Sequence, residues 1–517
     1  MKKFTQQFLL LNALAIMVVS CKKEATEVTS TQSKIDSKTL TLTTNNITLV
    51  NASYVFKATA GSDVTTALQS ALNTYKNVSI DANYVISTTL QVPSGGSLTG
   101  LNSNSILKAA NSRSGLLSSR GIYIDLSGKS SVNIKGITFK PADNMTNMLG
   151  WANTVILLSN AHSCIIDSNT FSFSFAYGKG MEAVWITGPS ANNTVSNNYI
   201  KTLGITYCEN GSSNSIIKNN QIINAYANAL GGIGNGTTPC YDNQVLNNYI
   251  ENAGRMGVED QQNTSGTIIK NNIIKGTSKM PSLPAGQGMG ISAVALKTIV
   301  DGNAITDVED YYIEVGGSNG LTITNNLIYD TGAEKGIFVN FLKDVSLTLN
   351  KITTIRGNII TNCARAIETF GQNTQQSVSI ESNTIIDPTG YGISLYAGSS
   401  VQSSYSVVKN TILFNSKTTA TRYGIASSCV QACGKQNYTI KLDKNTLTYS
   451  LNAPKSTGKD VTFAISVDNA ALTYNTINGY SGGVNVGITN NGVTTRGVSF
   501  VGNSVQKATW DTSIFSK

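Results

Sequence analysis

The segment Val195-Ser-Asn-Asn-Tyr-Ile-Lys201 returns as Ile217-Lys-Asn-Asn-Gln-Ile-Ile223, as Val245-Leu-Asn-Asn-Tyr-Ile-Glu251 and as Ile269-Lys-Asn-Asn-Ile-Ile-Lys275. Working outward, the same Asn-x-apolar signature begins at Asn169-Thr-Phe and continues through Asn303-Ala-Ile, Asn326-Leu-Ile, Asn358-Ile-Ile and Asn383-Thr-Ile. It then runs through Asn410-Thr-Ile, Asn445-Thr-Leu, Asn475-Thr-Ile and Asn503-Ser-Val. Successive asparagines are 22 to 35 residues apart. Between them lie short alternating strands and Gly/Asn/Ser turns without helical periodicity. Such a unit cannot bury its apolar face alone, so it must stack on copies of itself. An Asn at the same corner of every coil tolerates left-handed backbone, and its amide can bond the Asn above or below. The pattern predicts an all-β, single-stranded parallel β-helix.

A second column supports this register. About ten residues after each Asn, or more where a coil carries an insertion, comes a small–apolar–x triplet. Examples are Gly180-Met181-Glu182, Gly204-Ile205-Thr206, Ala229-Leu230-Gly231, Gly257-Val258-Glu259 and Gly290-Ile291-Ser292. Tyr312-Ile313-Glu314, Gly336-Ile337-Phe338, Ala366-Ile367-Glu368, Gly392-Ile393-Ser394 and Gly424-Ile425-Ala426 follow. Strand side chains alternate, so the middle residue is expected inside and the third outside.

Composition excludes several alternatives. Only 13% of the 517 residues are charged, too few for a coiled coil or a disordered polyelectrolyte. A single His rules out a multi-His zinc site. The formal charge of +9 is compatible with an acidic glycan or a membrane face. The basic residues are scattered singly, without aromatic–basic interleaving, and nucleic acid is not an expected partner.

At the start of the chain, Lys2-Lys3 precedes an apolar run from Phe8 to Val19 and then Ser20-Cys21, the layout of a secretory signal over residues 1–20. The run is short for a bilayer span. Residues 22–38 are polar and rich in Ser and Thr, a flexible tether within residues 21–50. In an oxidising compartment Cys208 can pair with Cys240, and Cys429 with Cys433, whereas Cys164 and Cys363 read as buried thiols.

The β-helix is expected over residues 51–517, and its open first coil needs a plug. Asp63 is a candidate N-cap for a helix placing Val64, Ala67, Leu68, Ala71 and Leu72 on one face. Strands at Val78–Ile80 and Tyr84–Ile86 follow. With this entry and these coils, the chain resembles the right-handed β-helix carbohydrate-active superfamily of pectate lyases, polygalacturonases and repeats shared by sugar hydrolases. Val18-Val19-Ser20-Cys21 resembles a bacterial lipobox. That resemblance implies export, lipidation at Cys21 and membrane attachment through the anchor alone, on an outer-membrane, periplasmic or cell-surface face. The polygalacturonase signatures Asn-Thr-Asp, Asp-Asp, Gly-His-Gly and Arg-Ile-Lys are absent, as is the Asp-Pro-His of mannuronan epimerases. Val184-Trp185-Ile186-Thr187 resembles a pectate lyase strand but lacks its Asp-His. No family catalytic residue carries over.

Candidate chemistry lies in the outward column Glu182, Thr206, Gly231, Glu259, Ser292, Glu314, Phe338, Glu368, Ser394, Ala426. Glu259 and Glu314 are two coils apart, as are Glu314 and Glu368, which separates their Cα atoms by ~9.6 Å. Flexible side chains bring such carboxyls within the window of about 6.5–9.5 Å used by inverting glycosidases. Glu259 and Glu314 are therefore the candidate catalytic pair, with Asp260 and Glu368 as partners or alternates. Arg255 and Arg365 suit a carboxylate or sulfate on a sugar. Gln261, Asn340, Phe370 and Tyr396 form the next outward column, offering hydrogen bonds and stacking, and Glu182 marks a distal sugar subsite or plain surface. Insertions at Gly276–Gly288 and Leu342–Arg356 would build cleft walls. His162 is off the column. Tyr207 and Trp185 read as packing or platform residues.

These residues favour a glycoside hydrolase acting as a monomer on a polysaccharide, and the basic charge suits an acidic one. A lyase acting on a uronic-acid polymer is the alternative, with Arg365, Arg255, Lys335 and Tyr396 supplying neutralisation and base. A non-catalytic glycan-binding or adhesive solenoid is the third. No cofactor is required, although an acidic column can also hold Ca²⁺.

Overall fold

The structure is a computed structural model. It describes residues 53–111, 122–143, 153–174, 181–232, 238–261, 263–278, 288–316, 320–329, 335–341, 352–371, 377–397, 403–415, 422–429, 438–449, 462–467, 470–478, 485–489, 499–501 and 504–506. The leader, Cys21, the tether, Asn503, Cys433 and most of both insertions lie outside the described residues.

The chain winds as a parallel β-helix with three long walls, of 17, 16 and 14 strands among the described residues. A typical coil contributes one strand to each wall, as in Ile165–Asp167, Thr170–Ser172 and Glu182–Thr187. Every named ladder is parallel, and the apolar residues stack in register, Ile166 on Val195 on Ile217 on Val245. These columns are fully buried and form one continuous core. The coils continue to the strand Ser504–Gln506.

The asparagine corner is bonded from Asn169 to Asn475. Each amide nitrogen donates to the Oδ1 of the Asn in the next coil at 2.9 to 3.2 Å. That same Oδ1 also accepts the backbone N–H of the preceding coil's Asn, as Asn220 does from Asn198 at 3.0 Å. The ladder residues themselves are not left-handed. The positive φ falls one residue earlier, at Ser168, Asn197, Asn219, Asn247, Asn271 and Asn325, and at Gly302 and Gly357. The turn is made by the preceding residue, which frees the ladder Asn to point inward.

The helix Thr65–Tyr75 buries Thr65, Leu68, Ala71 and Leu72, with Val64 also buried just before it. Ala67, expected on the same face, is exposed. The helical boundary residue is Val64, and Asp63 stands one position earlier, where its Oδ1 still accepts the Thr65 N–H at 3.0 Å. No described helix is long and apolar enough to cross a membrane. Cys164, Cys208, Cys240 and Cys363 are buried free thiols. Cys208 and Cys240 lie near enough for each thiol to perturb the other, but both are free and not bridged.

Candidate functional site

The third wall carries the acidic column. Gly231 pairs with Glu259, Glu259 with Ser292, Ser292 with Glu314, Glu314 with Phe338, and Phe338 with Glu368. Ser394 and Ala426 extend it. The file of side chains is therefore real from Thr206 to Ala426, but it begins differently from the sequence reading. Trp185, not Glu182, stands beside Thr206, because the ladder shifts between Glu182 and Val184. Glu182 pairs instead with Gly204. Its Oε2 is buried without a hydrogen-bond partner among the described residues, and burial pushes its carboxyl up to about 8. A side chain turned in over Gly204 does not make the open distal subsite expected of it.

A second correction concerns depth. The column was expected to face water, yet Glu259 is 3% exposed, Glu314 7% and Glu368 4%. Each is covered by its own partners. Glu259 accepts from the Asn228 amide, from the Gln261 amide and from Arg255 Nη1 at 3.3 Å. Glu314 accepts from Ser292 Oγ at 2.8 Å and Asn340 Nδ2 at 3.2 Å. No cation is among those partners. Burial raises the Glu314 carboxyl above the usual carboxylate range. Ser292 and Asn340 oppose that rise, while the negative fields of Asp310 and Glu259 add to it. Glu368 is clamped by Arg365 Nη1 at 2.6 Å and Lys335 Nζ at 3.1 Å.

Asp260 does not belong to this surface. Alternation turns it inward, where it is fully buried. It accepts from Thr298, Thr264, Thr267 and Tyr207 hydroxyls at 2.7, 2.8, 3.0 and 3.2 Å. Burial nevertheless lifts its carboxyl to about 6. Asp260 is thus removed from the catalytic candidates. It ties the turn after the Glu259 strand to the core. Tyr207, also fully buried, helps by donating to the Glu259 carbonyl at 3.0 Å, so it packs and is not a platform.

The remaining expectations assemble on one face. Asn340 pairs with Phe370, and Phe370 stacks on Tyr396 with ring centres 5.3 Å apart. Tyr311, Lys335, Arg365, Tyr391 and Tyr423 form a further file in register. Lys335 Nζ lies 3.8 Å from the Phe338 ring centre and 4.7 Å from that of Tyr311, a cation–π arrangement. Trp185 donates from Nε1 to Glu209 at 2.7 Å, and His162 is exposed in an isolated bridge between Ser130 and Ala191. Sequence reasoning missed Asn228, whose only signal was its place just before the small residue of its triplet. It also missed that Ser292 hydrogen-bonds Glu314. Among the described residues no cluster of three or more His, Cys, Asp or Glu groups is arranged to hold a metal ion. Ser292 and Phe338 separate the acidic side chains, which do not converge as a Ca²⁺ site would require.

The family described as the right handed beta helix region matches residues 120–298 and 285–440. The chain belongs to that family. No curated protein matches it. Among solved structures it is similar to PfbA, a surface adhesin of Streptococcus pneumoniae, at 15% identity and TM-score 0.41, covering 77% of this chain and 93% of that one. It is also similar to the catalytic unit of a GH87 α-1,3-glucanase from Streptomyces thermodiastaticus, at 15% identity and TM-score 0.45, covering 77% and 70%. A tailspike protein of E. coli bacteriophage HK620 in complex with a pentasaccharide matches at 13% identity and TM-score 0.43, covering 80% and 76%. At such identities the likeness is one of fold.

Proposed function

We propose that this chain is an exported glycoside hydrolase, lipidated at Cys21, that cleaves a polysaccharide laid across the third wall. One observation carries the reading. Two carboxyl groups two coils apart sit in different environments, Glu259 among three donors including Arg255, and Glu314 bonded, among the described residues, by the neutral Ser292 and Asn340. Divergent environments are how paired carboxyls divide acid and base roles. Glu314, whose proton is held more tightly by burial, serves as general acid to the leaving oxygen. Glu259 serves as base toward water on the opposite side of the sugar. The Phe370–Tyr396 stack offers a face for sugar rings.

Elimination is less well served. Two of its candidate cations, Lys335 and Arg255, are engaged by Glu368 and Glu259, and its candidate base Tyr396 is stacked on Phe370. The low exposure of both Glu259 and Glu314 favours one rival, a solenoid that binds glycan without turnover. A panel of neutral and acidic polysaccharides, read for reducing ends and for the ultraviolet absorbance of unsaturated uronates, tests the reading. Reducing ends alone, falling about 10²–10⁴-fold in Glu314→Gln and in Glu259→Gln, are expected. Unsaturated products, or full turnover by both variants, would refute it. Mature protein that begins at a lipidated Cys21, and is released from membranes by Cys21→Ser, tests the export reading.

A further inference from the structure

The charges of the third wall are unevenly balanced along its length. At the Glu259–Glu314 end, Arg255 pairs with Glu259, and the negative fields of Asp310 and Glu259 reach Glu314. Two coils beyond Glu314 the balance reverses, since Lys335 and Arg365 share the single carboxylate of Glu368. Once Glu368 is matched by Lys335, whose side chain is 12% exposed, the charge left over resides on Arg365, whose side chain is 44% exposed. Its hydrogen bond to Glu368 uses Nη1 of a group with five N–H donors in a flat fork. Aromatic rings flank it. Tyr391, in the next coil of the same file, has its ring centre 6.0 Å from Arg365 Cζ and stacks on Tyr423 at 4.8 Å.

We propose that Arg365 is a subsite for the carboxylate of an acidic sugar, placed about two coils (~9.6 Å) from the sugar held at Glu314. The proposal rests on reading this wall as a glycan site and deepens it by naming the substrate class. A carboxylate suits the guanidinium fork, and a pyranose ring beside it meets the Tyr391–Tyr423 faces. At the other end a uronate would meet the negative fields that Asp310 and Glu259 already cast on Glu314, and like charges repel. The wall therefore selects a heteropolysaccharide whose acidic sugar recurs among neutral ones, with a neutral sugar at Glu314. It selects against a polymer charged at every residue.

Three probes test this: a heteropolysaccharide with one uronate per repeat, the same polymer after carboxyl reduction, and a homopolyuronate. Preference for the first over the second, in kcat/KM and in retention during affinity electrophoresis, is expected to be about tenfold, equivalent to ~1.4 kcal/mol. The homopolyuronate should rank below it. Arg365→Gln should bring the ratio close to one, and Arg365→Lys should keep part of it, because the charge survives but the fork does not. Equal handling of the charged and reduced polymers, an unchanged ratio in Arg365→Gln, a homopolyuronate ranked first, or retention of none of the three would overturn the proposal. Selective retention without turnover would sustain the subsite while defeating the hydrolase reading, so the two failures are distinct.

Discussion

Replacing Asn303 by Ala tests what the corner ladder contributes. Asn303 Oδ1 accepts from the backbone N–H of Asn272 at 2.9 Å and from its amide at 3.0 Å. Asn303 Nδ2 donates to the Ile269 carbonyl at 3.0 Å and to Asn326 Oδ1 at 2.9 Å. Alanine keeps the backbone N–H that Asn303 gives Asn326, so that acceptor stays engaged. It strands the Asn272 N–H and one hydrogen of the Asn272 amide, while the Ile269 carbonyl keeps its partner in the parallel ladder. Both lie at a corner where Asn272 is 0% exposed and Asn303 1%, out of reach of water. At ~1–3 kcal/mol for each buried group left unpaired, two groups give about 2–6 kcal/mol, centred near 4. Asn325→Gly is the control. Asn325 is exposed, with its amide on Asp301 at 2.9 Å, and its φ of 55° suits glycine. It should lose under ~1 kcal/mol. Urea unfolding followed by circular dichroism measures both variants. Hydrogen exchange at the Asn272 amide should quicken about 10³-fold in Asn303→Ala, since ~1.4 kcal/mol is one decade. Should Asn303→Ala lose no more stability than Asn325→Gly, the ladder would be an ornament of the turn and not a support of it.

Other perturbations follow from the same geometry. A general acid acts in its protonated form, so activity should be lost as pH rises through the elevated value of Glu314. Ser292→Ala removes a donor that favours the ionised form and should move that alkaline limb to higher pH, and a limb that stays put argues against Glu314 as the acid. Asp260, lifted from 3.8 to about 6, binds its proton more tightly folded than unfolded. Stability from this group is therefore greatest below its unfolded value and declines between about pH 4 and 6, by about 3 kcal/mol. Asp260→Asn should flatten that segment of a melting-temperature profile, and an unaltered slope would place the titration elsewhere. In Gly290→Ala the new methyl would stand 2.5 Å from the Tyr312 carbonyl and 2.7 Å from Ile305 Cγ2, forcing neighbouring coils apart. Thermal melts should show a loss of about 1–3 kcal/mol, and a neutral result would mean that the coils yield easily.

Much of the architecture was legible because a solenoid repeats its constraints. Each coil must put an apolar residue inside and an Asn at the corner, so Ile205, Leu230, Val258, Ile291 and Ile313 could be aligned by inspection. The reading failed where a coil breaks the period. A shift between Glu182 and Val184 moved Trp185 into the column, and triplet spacing carries no mark of it. It also failed on depth. Alternation assigns Glu259 outward and Asp260 inward, yet Asp260 was grouped with its neighbour on the strength of charge.

From the order of residues alone came the coil, its register over most of the third wall, and the alignment of Glu259, Glu314 and Glu368. Those depend on local periodicity, which a linear pattern records. Tertiary structure decided which side chains meet. Asn228 reaches Glu259 across 31 residues, Ser292 reaches Glu314 across 22, and Lys335 joins Arg365 on Glu368. Burial and charge pairing arise between coils, from neighbours brought together by stacking. They separate a carboxyl whose hold on its proton burial strengthens from one that accepts from arginine.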